Sequence, residues 1–300
     1  MKKSISALVL VVFAFGFTAT AYPWGSATHA FIMDQIMRKA GPPRLMYGVM
    51  DPDVFNYYFD NLLLRDQLYA MTHYDFMKVW NASKGPSDRP SAFGFVCHNN
   101  EWGIDWTAHT SSRTLNPGQG YVIQKAEFLY DNYLASLFAE LGIDPDTGKA
   151  VCHDLVEMAI DLMIKNLDPN IGNRLVDSAR SSDKKMLNLL EKAYAEDVAA
   201  AGGMSLDQAQ AFIAANESGF RMAILSLGNA LKLDAPDDLN AISAQLAGLA
   251  YAAYGIEVAP SVVAQALQAA MMVCSGDFAA EIMATIGYVQ GQLAAHNIGY

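Results

Sequence analysis

The chain has 300 residues, of which 52% are hydrophobic and 17% are charged, and its formal net charge at pH 7 is −11. This composition is typical of a globular protein and excludes a disordered chain. The excess of acidic residues gives it no overall attraction for nucleic acid backbones or anionic membrane surfaces.

The first 21 residues have the pattern of a secretory signal peptide. Two lysines precede an apolar run over 5–17, and small residues follow at 19–21. Cleavage after Ala21 would leave 18 basic and 31 acidic residues, a net charge of −13. We therefore expect a secreted or periplasmic protein, with residues 22–300 as one mature domain and no transmembrane segment after cleavage.

Two helices are predicted before residue 75. The first begins near Ser26 and ends at Gly41, with His29 on its apolar face. A turn at Asp51-Pro52-Asp53 follows, and a helical stretch then leads to His73. Taken singly, such histidines are usually hydrogen-bonded core or polar residues, and such aspartates are helix caps or turn formers.

The stretch 94–109 carries four potential metal ligands. If it forms one helix, Glu101, Asp105 and His109 lie about 60°, 20° and 20° from His98 around the helix axis. Two imidazoles and two carboxylates on one face are costly beside apolar neighbours unless a cation neutralises them. A metal ion is the simplest such cation, and a solvated polar stripe is the alternative.

A second ligand pair follows an amphipathic helix predicted over 121–141. His153 and Glu157 are four residues apart on a helix over 150–161, so both side chains can reach one ion. A surface contact between them is the alternative. Cys97 and Cys152 directly precede histidines, and if those histidines converge, a disulfide between the two cysteines becomes conceivable in an oxidising compartment.

The rest of the chain is predicted to be helical. The expected helices cover 174–199, 205–216, 220–231, 238–254 and 261–294, the last with a break near Ser275 and Gly276. The alanine-rich run 246–273 is interpreted as a buried helical pair and not as a membrane span. Because no alternating strand pattern appears, the expected fold is all-α, a multi-helix single domain with its ligands in 24–161 and a helical C-terminal half over 174–300.

The histidines and carboxylates together indicate a metal site. Five of the six histidines precede residue 154, and each has a carboxylate at short spacing. Mixed imidazole and carboxylate ligands favour zinc over calcium or magnesium, which prefer oxygen ligands alone. About eight candidate ligands are enough for two or three ions.

The order of these motifs resembles the zinc-dependent phospholipase C family and the related zinc-dependent single-strand nucleases. The matching motifs, in order, are Trp24 with His29, Pro52-Asp53, His73-Tyr74, His98…Asp105…His109 and His153…Glu157. They extend over residues 24–157. The resemblance implies an all-α fold that holds a trinuclear zinc cluster.

Carried over by position, the resemblance implies three zinc sites. The ligands of the first would be His73, His98 and Asp105. The ligands of the second would be His109, His153 and Glu157. The ligands of the third would be His29, Asp105 and the backbone amino group of Trp24. Asp53 would be the catalytic residue that contacts the attacking water.

The sequence departs from the family's pattern in two places. Cleavage after Ala21 leaves two residues ahead of Trp24, whereas the family's third zinc uses the free terminal amine of its tryptophan. Asp105 follows His98 by seven residues instead of four, so Glu101 could bridge two ions instead of Asp105, or beside it.

The resemblance implies a metal-dependent phosphoric ester hydrolase, a phospholipase C-like phosphodiesterase acting on a phospholipid through a metal-activated water. Glu157 in the last motif is typical of the phospholipases, since the nucleases usually carry aspartate there. One alternative is a zinc-dependent nuclease or nucleotidase. Another is a non-catalytic helical binding protein with a degenerate metal site. The aromatic residues that could line a lipid pocket or stack on bases are Tyr57, Tyr58, Tyr69, Trp102 and Trp106.

Overall fold

A computed structural model describes residues 24–38, 41–56, 58, 60–181 and 184–300. Within these residues the chain forms fifteen α-helices and no strand, which confirms the all-α prediction. The helices are α1 (Ser26–Ile36), α2 (Pro43–Met50), α3 (Leu62–His73), α4 (Met77–Ala82), α5 (Arg89–His98), α6 (Ile104–His109), α7 (Tyr121–Leu129), α8 (Ala135–Glu140), α9 (Pro145–Leu167), α10 (Ile171–Ser181), α11 (Lys184–Gly202), α12 (Leu206–Leu231), α13 (Asp237–Tyr254), α14 (Pro260–Cys274) and α15 (Phe278–Ala295). The predicted signal peptide lies outside the described residues.

Two short segments of other helical type connect these elements. A 3-10 helix over Asp51–Phe55 follows α2 directly, and a π-helical turn over Tyr130–Leu134 joins α7 to α8. The amphipathic helix predicted over 121–141 is therefore helical throughout but contains a π-helical turn. The 3-10 helix places the Asp-Pro-Asp motif, predicted as a turn, in the buried interior.

Helices α2 and α5 pack closely because each carries a glycine at the crossing. A Cβ atom on Gly48 would lie 2.2 Å from the carbonyl oxygen of Ser91, and one on Gly94 would lie 2.2 Å from that of Leu45. No other residue permits this approach without a shift of the backbone. The close crossing brings the carbonyl of Val49 to the ring of His98 at the end of α5.

The predicted single helix across 94–109 is wrong. Helix α5 ends at His98, and α6 begins only at Ile104. Asn99 causes the break, because its Oδ1 accepts the backbone N–H groups of Glu101, Trp102 and Gly103 at 2.9, 2.9 and 3.1 Å. Such side-chain bonds compete with helical ones. Gly103 permits the turn, since a Cβ there would lie 2.5 Å from the carbonyl oxygen of His98.

Other predicted boundaries are partly wrong. The helix predicted over 174–199 corresponds to α10 and α11, and residues 182–183 between them lie outside the described residues. The two helices predicted over 205–216 and 220–231 are the single helix α12. Gly219 lies between the two predicted helices. One glycine costs a helix only about 1 kcal/mol, which is less than the free energy gained by burying the adjacent Phe220. The break near Ser275 is confirmed.

The alanine-rich run 246–273 covers parts of α13 and α14. One face of α14 is buried, whereas Ile242 is the only hydrophobic side chain of α13 fully buried among those described, so the predicted buried pair is wrong for α13. No single helix in the described part of the chain is long and apolar enough to cross a membrane. Helices α14 and α15 are long and apolar enough only when taken together, and the pair is bent by 66°.

The loop between α6 and α7 is held by Glu281 of α15. The carboxylate of Glu281 accepts the hydroxyls of Ser112 and Thr114 at 2.9 and 2.5 Å and the backbone N–H groups of Arg113 and Thr114 at 2.7 Å each. Four donors satisfy a carboxylate that is fully buried. Helix α15 therefore fixes the loop that follows His109.

The cysteines form no disulfide. Cys97, Cys152 and Cys274 are free and buried, so the conceivable bridge between Cys97 and Cys152 is absent. Each thiol packs in the hydrophobic core as a small apolar side chain. Burial raises the pKa of Cys152 to about 12, which keeps that thiol protonated and unreactive.

Candidate metal centre

The ligand residues predicted from the motif order converge in one region, called here the metal centre. Each is carried by a short stretch near a helix end or by the long helix α9. All are buried except His109, which is partly buried. The residues of the metal centre are His29, Asp53, His73, His98, Asp105, His109, His153 and Glu157.

Asp105 lies at the middle of the metal centre. Its Oδ1 is 2.9 Å from Nε2 of His29, and its Oδ2 is 3.0 Å from Nε2 of His98 and 3.5 Å from Nε2 of His73. One carboxylate thus faces imidazoles on both of its oxygens, the geometry of a bridging ligand. Glu101 is exposed, so the alternative that it bridges is not supported by its position.

The backbone fixes which nitrogen of each imidazole faces the centre. Nδ1 of His98 is 2.7 Å from the carbonyl oxygen of Val49, and Nδ1 of His73 is 3.0 Å from that of Tyr69. A carbonyl accepts only, so each Nδ1 donates its N–H to the backbone and each ring turns its Nε2 towards the centre. His29 follows the same pattern, with Nδ1 3.3 Å from a carbonyl of its own helix.

Two of these inward-facing nitrogens lie next to each other. Nε2 of His98 and Nε2 of His73 are 3.1 Å apart, and Oδ2 of Asp105 lies beside both. Burial lowers the pKa of His73 well below its usual range, and the neighbouring His98 lowers it further, which disfavours a proton there. A metal cation coordinated by the three atoms satisfies them together.

Three groups of side chains could each hold an ion, since their ligand atoms lie within 4.8 Å of one another. The first group is His73, His98 and Asp105. The second group is His109, His153 and Glu157. The third group is His29, Asp53 and His98. The first two groups are the sets expected from the sequence. The third differs, because Asp53 and His98 accompany His29 in place of the expected Asp105 and backbone amino group of Trp24.

Asp53, expected only to contact the attacking water, therefore lies beside the candidate ligands. Its Oδ1 is 3.4 Å from Nε2 of His73 and 3.7 Å from Nε2 of His98. Asn56, three residues later, donates to the same oxygen at 2.7 Å and holds the carboxylate in place. This support had no sequence signal other than its spacing from Asp53.

The second ligand group also contains buried polar atoms for which the structure shows no hydrogen-bond partner. Nε2 of His153 is 3.1 Å from Oε1 of Glu157, yet neither atom forms a hydrogen bond. Oδ2 of Asp105 is likewise without one. Buried polar atoms without a partner are rare in folded proteins. A divalent cation at each group would satisfy them, so the residues fit zinc by chemistry as well as by position.

Burial sets the protonation of the groups in the absence of metal. It raises the pKa of Asp53 and of Glu157 and lowers that of His153, because it penalises each charged form. Burial acts in the same direction on Asp105, but the adjacent His98 and His29 hold the pKa of Asp105 well below its usual range. Asp105 is thus the carboxylate that stays ionised.

Trp24 supports the centre through its side chain. Its indole N–H donates to Oγ1 of Thr107 at 3.1 Å, and its ring stacks on Tyr121 with centroids 5.4 Å apart. Thr107 also accepts the hydroxyl of Thr285 on α15 at 3.0 Å. The metal role expected for the backbone amino group of Trp24 stays a prediction.

Sequence reasoning missed Asp161, which ties α1 to α9. Its carboxylate accepts the backbone N–H groups of Ala27 and Thr28 at 3.0 and 2.8 Å and the hydroxyl of Thr28 at 2.7 Å. Gly25 leaves room for it, because a Cβ there would lie 2.5 Å from Oδ1 of Asp161. Asp161 is one turn beyond Glu157 on the same face of α9, and that spacing was the available signal.

Comparison with known proteins gives no further assignment. No protein-family model, no curated protein and no solved structure matches this chain. The functional interpretation therefore depends on the donor atoms and the geometry of the metal centre.

Proposed function

We propose that this protein is a zinc-dependent phosphodiesterase of the phospholipase C type, acting in a secretory or periplasmic compartment. The observation that carries the proposal is Asp105, placed between inward-facing histidine nitrogens next to a further histidine and glutamate group. Each group supplies three protein ligands, which leaves a coordination position for water or substrate, as in catalytic zinc sites.

Zinc ions bound in these groups would supply an activated water at neutral pH and stabilise negative charge on phosphate oxygens. The protein's own contribution is to orient the reacting groups. Asp53 is the candidate that positions the water and accepts its proton, because Asn56 fixes its carboxylate beside His73 and His98. No protein nucleophile is needed.

The aromatic side chains favour a lipid over a nucleic acid as substrate. A nuclease needs exposed aromatic faces on which bases can stack. The described candidates each contact another ring of the protein instead, and Tyr57 lies outside the described residues. The pairs are Tyr58 with Phe212, Tyr69 with His73, Trp102 with His296 and Trp106 with Tyr288.

Metal content is the direct test. We expect elemental mass spectrometry to find two or three zinc ions per chain in the wild type and fewer in His98→Ala and His153→Ala variants. His296→Ala is the matched control, because the ring of His296 stacks on Trp102 and belongs to none of the three ligand groups. A wild-type protein that takes up no zinc would overturn the proposal in favour of the helical binding protein.

Activity separates the enzyme interpretations. We expect hydrolysis of a chromogenic phosphodiester that a chelator abolishes and zinc restores. Release of a phosphorylated headgroup from phospholipid vesicles should then exceed cleavage of single-stranded DNA at equal enzyme concentration. The reverse order would support the nuclease or nucleotidase alternative.

A further inference from the structure

A largely apolar cavity of about 180 Å³ adjoins the metal centre. Trp24, Asp53 and Glu157 belong to its lining, so it is continuous with the proposed reaction site. Most of the remaining lining is hydrocarbon and includes Leu137, Phe138, Met158, Leu249, Val262 and Ala266. No lysine or arginine lines the cavity in the part of the chain that the structure describes.

The polar and apolar parts of the lining come from different helices. The polar side chains Ser26, Asn56 and Asp154 lie on the elements that also carry metal ligands, namely α1, the 3-10 helix region and α9. Among the side chains that the structure describes, helices α8, α13 and α14 contribute only apolar ones. A ligand that fits this lining has a charged end at the metal centre and a hydrocarbon end against α13 and α14.

The size of the cavity limits how much hydrocarbon it can hold. Pockets for whole drug-sized ligands are typically about 300–1,000 Å³, larger than the 180 Å³ found here. The cavity is therefore too small for a whole phospholipid, and we assign it a single alkyl chain. Leu141 lines the cavity and is 46% exposed, so the cavity opens to solvent near the end of α8.

We propose that this cavity binds one alkyl or acyl chain of the substrate while the phosphate lies at the metal centre. The inference rests on the proposed function, which identifies the charged end of the ligand as a phosphate. The hydrocarbon end rests only on the lining of α8, α13 and α14, whose side chains would gain dispersion contacts with a bound chain. A second chain, where the substrate has one, stays outside the cavity.

Two variants on α13 test the proposal with the same substitution. Ala250→Phe places an aromatic ring in the lining, whereas Ala252→Phe places it at an exposed position outside the lining. The probe is parinaric acid, a fluorescent fatty acid, added to the full protein treated with chelator. We expect its affinity to fall at least about tenfold in Ala250→Phe and to stay at the wild-type value in Ala252→Phe.

Chain-length dependence gives a second readout on the zinc-loaded enzyme. For methyl, butyl and octyl esters of nitrophenyl phosphate, we expect kcat/KM to rise with chain length in the wild type and in Ala252→Phe. In Ala250→Phe the rise should be lost, so that the three esters react with similar kcat/KM. This pattern would separate occupation of the cavity from damage to the metal centre.

Different results would overturn the cavity inference and the proposed phosphodiesterase function. Absence of parinaric acid binding to the wild type, or equal binding in all three proteins, would overturn the cavity inference. Probe binding that responds to Ala250→Phe without any phosphodiester hydrolysis would overturn the proposed function and support the cavity as an alkyl-chain site. Leu249→Ser, which makes the lining polar without adding volume, replaces Ala250→Phe if that variant does not fold.

Discussion

Asp105 is the single carboxylate on which the metal centre depends most. Replacing it with asparagine turns one oxygen into an N–H donor, which cannot coordinate a metal beside the nitrogens of His29 or His98. We expect Asp105→Asn to lose at least one zinc per chain by elemental mass spectrometry. Glu101→Gln is the control and should keep the wild-type metal content, because Glu101 is exposed. A full complement of zinc in Asp105→Asn would show that Asp105 is not a ligand.

Asp53 has a different predicted role. We expect Asp53→Asn to keep its metals and to lower turnover by roughly 10²-fold or more, because the amide can occupy the same space but cannot accept a proton. Turnover of the chromogenic phosphodiester and metal content, measured on the same sample, check this. Unchanged turnover would remove Asp53 from the mechanism, and loss of zinc would assign it to the ligands instead.

The convergence of the candidate ligand residues could be predicted from sequence, whereas the residues that hold them in place could not. Histidine and carboxylate pairs at short spacing form a recognisable pattern, and all five early histidines lie in the metal centre. Asn56, Asn99 and Asp161 act through contacts that depend on where the chain turns or on residues more than 100 positions away. A single polar residue carries no such signal by itself.

At the scale of helices, the crossing of α2 and α5 sets the position of His98. Gly94→Ala would force a Cβ against the carbonyl oxygen of Leu45, and overpacking of this kind costs about 1–3 kcal/mol. Gly219→Ala on α12 is the control, since a Cβ there meets no atom within 4 Å. It should stabilise by up to about 1 kcal/mol. Urea unfolding of both variants measures the difference, and equal stabilities would mean that the crossing is not tight.

The start of α9 gives a prediction about pH. Asp144 caps this helix by accepting the N–H groups of Asp146 and Thr147 at 3.0 Å each, and the hydrogen bonds from Thr147 hold the pKa of Asp144 below the ordinary value of 3.8. Asp144→Ala should cost about 1 kcal/mol at pH 7. Because the folded state favours the ionised form, the contribution of Asp144 is present above pH 3.8 and is lost as the pH falls through its lowered pKa.

Chemical denaturation of wild type and Asp144→Ala between pH 7 and pH 3 checks this prediction. The gap between the two proteins should be constant down to about pH 4 and should then close. A gap that persists unchanged at pH 3 would mean that the carboxylate charge does not contribute to the cap.

Long helices with regular apolar spacing were predictable, but their ends were not. The apolar stripes of α9 and α12 are visible in the sequence because they repeat every three or four residues. The break after His98 depends on the side chain of Asn99 taking three backbone donors, which outweighs the continuing helical pattern. The ligands converge all the same, since Asp105 faces His98 from a second helix.

For the whole molecule, the proposed metals connect segments far apart in the chain. Ligands lie on α1, α3, α5, α6 and α9, so bound zinc would stabilise the folded state over any state in which these helices separate. Zinc at 100 times its Kd would contribute about 2.7 kcal/mol per site. We expect chelation to lower Tm by several degrees and added zinc to restore it. In His98→Ala, the change in Tm on chelation should be smaller. A wild-type Tm that chelator does not change would argue against bound metal.

Truncations that remove helix α15 should inactivate the protein. The helix contains no candidate ligand, yet its Glu281 holds the loop after α6. Its Thr285 donates a hydrogen bond to Thr107, which also accepts the indole N–H of Trp24. A nonsense codon just before residue 278 would leave every ligand encoded while removing both supports. In a random screen for inactive alleles, we therefore expect hits to recur in this last segment, more than 100 residues beyond Glu157.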